Sequence, residues 1–88
     1  MKAKEKEYQS LLDELNDIAR QKGIKVRFEK GDFNGGYCIL KNEKIIVINK
    51  LAQTQRKAII LAEALNEIGV EDIYLQPKIR KLIENSTL

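Results

Sequence analysis

The sequence predicts an α+β domain: a helix, a three-stranded antiparallel sheet, a central helix and a short C-terminal helix, in the order α-β-β-β-α-α. Three observations predict it. Arg56 to Ile68 is the longest strongly apolar run, and Ala58, Leu61, Ala62, Leu65 and Ile68 recur in it at three- and four-residue intervals. That spacing marks a helix buried along one face, and Ile59, Ile60 and Ala64 widen the face until the helix reads as central and covered. Ile24 to Lys30 alternates apolar and polar residues, the pattern of a strand with one face in water. Tyr37–Leu40 and Ile45–Ile48 flank the polar run Lys41-Asn42-Glu43-Lys44 and read as an antiparallel hairpin.

The elements follow in order. Tyr8, Leu11, Leu12, Leu15, Ile18 and Ala19 form one stripe of a first helix over roughly residues 3–22, and Gly23 stops it. The strand 24–30 comes next. Gly31-Asp32-Phe33-Asn34-Gly35-Gly36 is the one glycine-rich patch, expected to be a turn and strand start needing positive φ. A phosphate-cradling loop would need a helix directly after it, and a strand follows. In the hairpin the second strand is apolar on both faces, which puts it inside the sheet or under a cover. Asn49 to Gln55 leads into the central helix, with Thr54 the expected N-cap and Gly69 the stop. After the connection 70–76, Pro77 suits the first residue of a last helix, because its missing N–H has no partner there anyway. Ile79, Leu82 and Ile83 give that helix an apolar side, and the last residues, 85–88, are expected to fray.

Residues 1–88 make one small domain, which hides only roughly 60–65% of its unfolded surface and so must pack well or pair with a copy. With 43% hydrophobic and 33% charged residues, the chain lies outside the disorder-prone composition. A net charge of +3 permits an acidic partner without demanding one. Cys38 is the one cysteine, which excludes an internal disulfide and fits a reducing compartment. It stands in a strand pattern and is expected to be a small buried hydrophobe. No apolar stretch follows the first lysines and none is long enough to span a bilayer, so the expectation is a cytoplasmic protein with no membrane contact.

The absence of histidine is the most decisive chemical fact. It removes Ser–His and Cys–His nucleophile pairs, and the imidazole that acid–base work near neutral pH usually relies on. One cysteine and no histidine leave no zinc set of the usual kind. Glu63 and Glu67 lie one turn apart on the central helix and read as its solvent edge. No catalytic residue, metal ligand or cofactor is therefore expected.

Ile46-Val47-Ile48-Asn49, then Arg56, then Leu61-Ala62-Glu63-Ala64-Leu65-Asn66 give the chain a resemblance to zincin-like metallopeptidases of the phage-immunity and radiation-response type (the ImmA/IrrE group). Those have a helix, a small sheet ending in a strand written like Ile-x-Ile-Asn, and a helix carrying H-E-x-x-H. The resemblance covers roughly residues 8–68. It implies that Ala62 and Asn66 hold the two histidine positions and Glu63 the general-base position. Alanine offers no ligand and asparagine is a poor one for zinc, so these are vestigial active-site positions on a degenerate minimal zincin scaffold.

The same order of helix, three strands and helix resembles the double-stranded-RNA-binding domain. The family's Lys-Lys-x-Ala-Lys motif corresponds here to Gln55-Arg56-Lys57-Ala58-Ile59, which keeps a basic residue and the alanine but loses the outer lysines. Duplex RNA is read mainly through phosphate and 2′-hydroxyl contacts, so these losses weaken that reading. A basic patch of Lys25, Arg27, Lys44, Arg56 and Lys57 is its candidate surface. The preferred expectation is a non-enzymatic domain acting through contacts with a protein partner or as a homodimer. A nucleic-acid-binding module is the alternative.

Overall fold

In the computed structural model, which describes residues 2–33 and 35–85 with side chains from residue 5 onward, α1 (Lys2–Gln21) stops at Gly23. Gly23 takes φ +74°, donates its N–H to the Arg20 carbonyl at 3.0 Å, and lets Ile24 donate to the Ala19 carbonyl at 2.9 Å. This paired closure satisfies two orphan carbonyls of the helix end and turns the buried Ile24 back onto Ala19. The chain continues as β1 (Lys25–Glu29), β2 (Gly35–Leu40), β3 (Glu43–Asn49), α2 (Thr54–Ile68) and α3 (Pro77–Asn85). Of the residues expected to fray, Asn85 is the last of α3, and 86–88, like Asn34 of the glycine-rich turn, lie outside the described residues.

The fold is α+β, in the order α-β-β-β-α-α. The sheet is mixed and not the antiparallel sheet expected. Its strand order is β1-β3-β2, with β1 parallel to β3 and β2 antiparallel to it. The reason lies in β3: Ile45, Ile46 and Ile48 are all buried, from both of its faces, so this strand needs a neighbour on each side. The two-residue loop Lys41-Asn42, with φ +51° and +68°, fixes β2 antiparallel on one flank. β1 ends and β2 begins at the same end of β3, beside Asn49 and Ile48. β1 therefore runs opposite to β2 and parallel to β3.

Gly35 makes that crossing fit. It holds φ +128°, and a Cβ there would strike the Val47 carbonyl and lie 3.1 Å from Ile48 Cα. Only glycine lets β2 begin so close to β3.

The three helices share the sheet's Ile46/Ile48 side. α2 packs on β2 and β3, α1 on α2 and β1, and α3 on α2. Leu15, Ile46, Ile48, Leu61, Leu65 and Ile83 are the largest fully buried side chains of the core, each worth about 1.5–3 kcal/mol of apolar transfer. Ile45 is 6% exposed yet stands outside that core, because it points to the other face of the sheet. Pro77 opens α3 as expected, while α2 begins at Thr54 and its N-cap position is Gln53, which makes no side-chain capping bond.

Candidate functional site

Three positions on α2 were expected to be vestigial, and the structure does not bring them to one cleft. Ala62 is fully buried among the core residues, Asn66 is half-buried, and Glu63 is exposed. Glu63 shares its side of the helix with Arg56 and Glu67, seven and four residues away, all three exposed. Glu63 thus stands in water on the outer side of the helix, and Ala62 is packed among core hydrocarbon.

The five cations of the expected basic patch are likewise divided. Lys25 and Arg27 project from the uncovered face of β1 and are paired there: Lys25 Nζ lies 2.7 Å from Glu43 Oε2, and Arg27 Nε 3.6 Å from Glu29 Oε2. Lys44 stands two residues before Ile46 and projects from the opposite face of the sheet. Arg56 is exposed at the start of α2, and the Lys57 ammonium sits 5.9 Å from the Phe28 ring centroid. Lys25 and Arg27 point to the face without helices, whereas Arg56 and Lys57 are carried by α2 on the other side, so the sheet lies between the two groups.

What the fold does bring together is an uncovered sheet face. Register places Lys25, Ile45 and Cys38 in one row, Arg27, Val47 and Gly36 in the next, and Leu40 beside Glu43 at the hairpin end. The apolar strip Leu40–Cys38–Ile45–Val47 runs across this face, with charged pairs along the β1 side. Leu40 is 53% exposed, and Cys38 is exposed where burial was expected. Cys38 lies on an edge strand and on the face without helices, so alternation alone could not bury it. Phe28, on an apolar position of β1, is 39% exposed for a related reason, since β1 is the other edge.

At the far end of β3 the Asn49 amide donates to the Gly31 carbonyl at 3.0 Å and to the Phe33 carbonyl at 2.6 Å. Its Oδ1 accepts from the Leu51 N–H at 3.0 Å. All these bonds are structural, and they account for the asparagine that ends the Ile-x-Ile-Asn run. A second clamp joins the C-terminus of α1 to the α2–α3 connection: Lys22 Nζ lies 2.8 Å from Asp72 Oδ1. The hydrogen bond from Lys22 is the main reason the Asp72 carboxyl titrates below the usual carboxylate range. A backbone hydrogen bond adds to it, burial opposes it, and the charges of Lys22 and Lys44 contribute less.

Two open concavities flank these elements. One, of about 970 Å³, lies between Glu5 and Tyr8 of α1 and the run Leu51–Gln55, and Glu5 is its one carboxylate. The other, of about 240 Å³, lies between Glu14, Asp17 and Ile18 of α1 and the Tyr74–Gln76 connection with Ile79. Glu14 and Asp17, a pair the sequence reading passed over, are one turn apart on the outer side of α1 and both exposed. Neither concavity includes Ala62, Glu63 or Asn66. Among the described residues, no three His, Cys, Asp or Glu side chains are grouped to hold a metal ion, and no helix is long and apolar enough to cross a membrane. Compared with protein-family models, curated proteins and solved structures, the chain matches none of them.

Proposed function

We propose that the chain is a non-enzymatic α+β domain that works through contacts with protein, on a scaffold resembling an inactive mini-zincin. The observation that carries the reading is the one-sided sheet. All three helices are on one side, and the other side leaves Leu40 and Cys38 exposed and Val47 half-exposed around the buried Ile45, beside an edge strand with no outer neighbour among the described residues. Exposed apolar surface rimmed by polar groups is the usual sign of an interaction surface.

The scaffold part rests on the element order and on the run Ile46-Val47-Ile48-Asn49 followed by Arg56. Its chemical consequence is the same whether or not ancestry underlies it. Without histidine, with Ala62 in the core and with Glu63 in open water, nothing holds a metal-bound water for a carboxylate to activate. A nucleic-acid module, the alternative, would need its cations on one surface, and they are divided between two.

The test is elemental analysis for zinc on protein purified without chelators, together with a general peptidase assay and titration with duplex RNA and duplex DNA. The reading predicts substoichiometric zinc, no hydrolysis, and no duplex binding in about 50 mM salt, a permissive condition. Stoichiometric zinc with hydrolysis, or duplex binding that falls steeply with salt, overturns it.

A further inference from the structure

We propose that the protein partner is a second copy of this chain, joined edge to edge through β2 in antiparallel pairing across a two-fold axis, so that two three-stranded sheets become one of six strands. The inference deepens the protein-contact reading and rests on it.

It starts from a difference between the two edges of the sheet. β1 carries three charged residues in five, Lys25, Arg27 and Glu29. β2 reads Gly35-Gly36-Tyr37-Cys38-Ile39-Leu40, with no charge and no proline. Its register against β3 runs without interruption from Gly35–Ile48 to Leu40–Glu43, so no bulge twists it away. Proteins blunt a free edge with charge, proline, a bulge or a cover, and β1 is blunted in this way while β2 is not. Ile39 is 63% exposed and Leu40 53%, on opposite faces of the same strand end. Among the described residues, no backbone hydrogen bond outside the sheet engages 35–40.

The second copy is the occupant because β2 is complementary to itself. Counting back from the two-residue loop, Leu40, Cys38 and Gly36 direct their N–H and C=O groups at β3, which turns those of Tyr37 and Ile39 outward. A two-fold axis centred on Cys38 sets Tyr37 of one copy opposite Ile39 of the other, so the outward groups meet each other. Tyr37 with Ile39 is an aromatic and β-branched pair of the kind that stabilises neighbouring strands. On the uncovered face Gly36 falls opposite Leu40, small against large, and no like charges are opposed. The same axis joins the two apolar strips into one surface across the dimer. β1, with Lys25, Arg27 and Glu29, carries the charge by which free edges are kept from pairing, which is a reason for the edge chosen.

Cys38 then reports the register. Directly opposed residues at such a position lie about 4.5 Å apart at Cα, within the ~4.4–6.8 Å range of a disulfide. With diamide as the oxidant, two Cys38 thiols lose two protons and two electrons to the diazene and form one S–S bond.

The experiment is sedimentation velocity on the full chain from low micromolar to near-millimolar concentration, with circular dichroism on every variant. We expect a monomer–dimer equilibrium that Ile39→Lys and Leu40→Lys each weaken by about tenfold or more, with the fold retained because both side chains are more than half exposed. Tyr74→Lys, at a position 84% exposed elsewhere, leaves the dimer unchanged. Diamide cross-links the wild type quantitatively, whereas a Cys38→Ala/Tyr74→Cys variant stays uncrosslinked at the same concentration. A monomer at every concentration, a dimer insensitive to both lysine variants, or equal cross-linking through residue 74 overturns the inference. Each of those results leaves the zinc, peptidase and duplex assays to judge the non-enzymatic reading independently.

Discussion

The Asn49 side-chain amide donates to the Phe33 carbonyl at 2.6 Å, tying the end of the central strand to the loop that crosses it. The Leu51 N–H bound to Oδ1 fixes which way the amide points, so both of its donors remain available for Phe33 and Gly31. Asn49→Ala is expected to cost about 1–2 kcal/mol in urea unfolding, the loss of two or three hydrogen bonds in a partly wet setting. Asn49→Asp should cost at least as much at neutral pH, because a carboxylate cannot donate and would face two carbonyl oxygens. The aspartate variant should recover relative to wild type in acid, where its protonated form can donate once. Equal stability of all three proteins would remove the clamp from the account.

Gly35 is the second fixture of the crossing. Gly35→Ala combines a positive φ with a collision against the Val47 carbonyl, and about 2 kcal/mol or more of destabilisation is expected. Gly36 next to it has nothing within 4 Å of a built Cβ. Gly36→Ala should therefore be neutral, or stabilising by about 0.4–1 kcal/mol through the unfolded chain. Thermal melts of the two variants separate a backbone requirement from a general intolerance of β2 to change.

Restoring histidine does not restore a metal site. Ala62 is fully buried, so Ala62→His must overfill the core and bury a polar ring, with an expected loss of about 2–3 kcal/mol or more. The double change Ala62→His/Asn66→His should destabilise the fold without gaining stoichiometric zinc. Glu63→Gln, on the exposed side, should alter stability by no more than about 0.5 kcal/mol. Zinc binding by a well-folded double variant would mean that position 62 has access to a cleft.

Asp72 sets the pH behaviour of the Lys22 clamp. Its folded carboxyl titrates below its ordinary value, so the carboxylate stabilises the fold above the unfolded aspartate range near 3.9, and the contribution is lost as the pH falls through the lower folded value. Asp72→Asn should thus melt below wild type at neutral pH, and the two curves should converge in acid beneath that range. The gap should be small, since Asp72 is 71% exposed, and it should narrow in high salt. A gap that persists unchanged into acid would assign the effect to something other than this charge pair.

Much of the fold was legible in the sequence because its signals are local. Gly23 and Pro77 act within a turn of the helix ends they define, and the apolar periodicity of α2 and the polar break at Lys41-Asn42 need no partner to be recognised. The doubly apolar character of β3 even indicated its interior position. The parallel pairing of β1 was not legible. A short glycine-rich link is compatible with either a neighbouring strand or a crossing, and the contacts that hold the crossing, from Asn49 to carbonyls sixteen and eighteen residues away, are not local. The same gap explains the misplaced side chains. Alternation in β1 and β2 tells which residues share a face, but not which face the helices cover or which strands are edges. Cys38 was therefore assigned to the interior, and Lys25 and Arg27 were grouped with Arg56 and Lys57 across a sheet that separates them.

The central claim is that this domain works through its uncovered sheet and free β2 edge. Amide hydrogen exchange, compared peptide by peptide at low and high protein concentration, tests it most directly. The account predicts that the segment Gly35–Leu40 gains protection as concentration rises while Lys25–Glu29 does not change. Protection of β2 that stays constant with concentration, or a gain confined to the β1 edge, would contradict it.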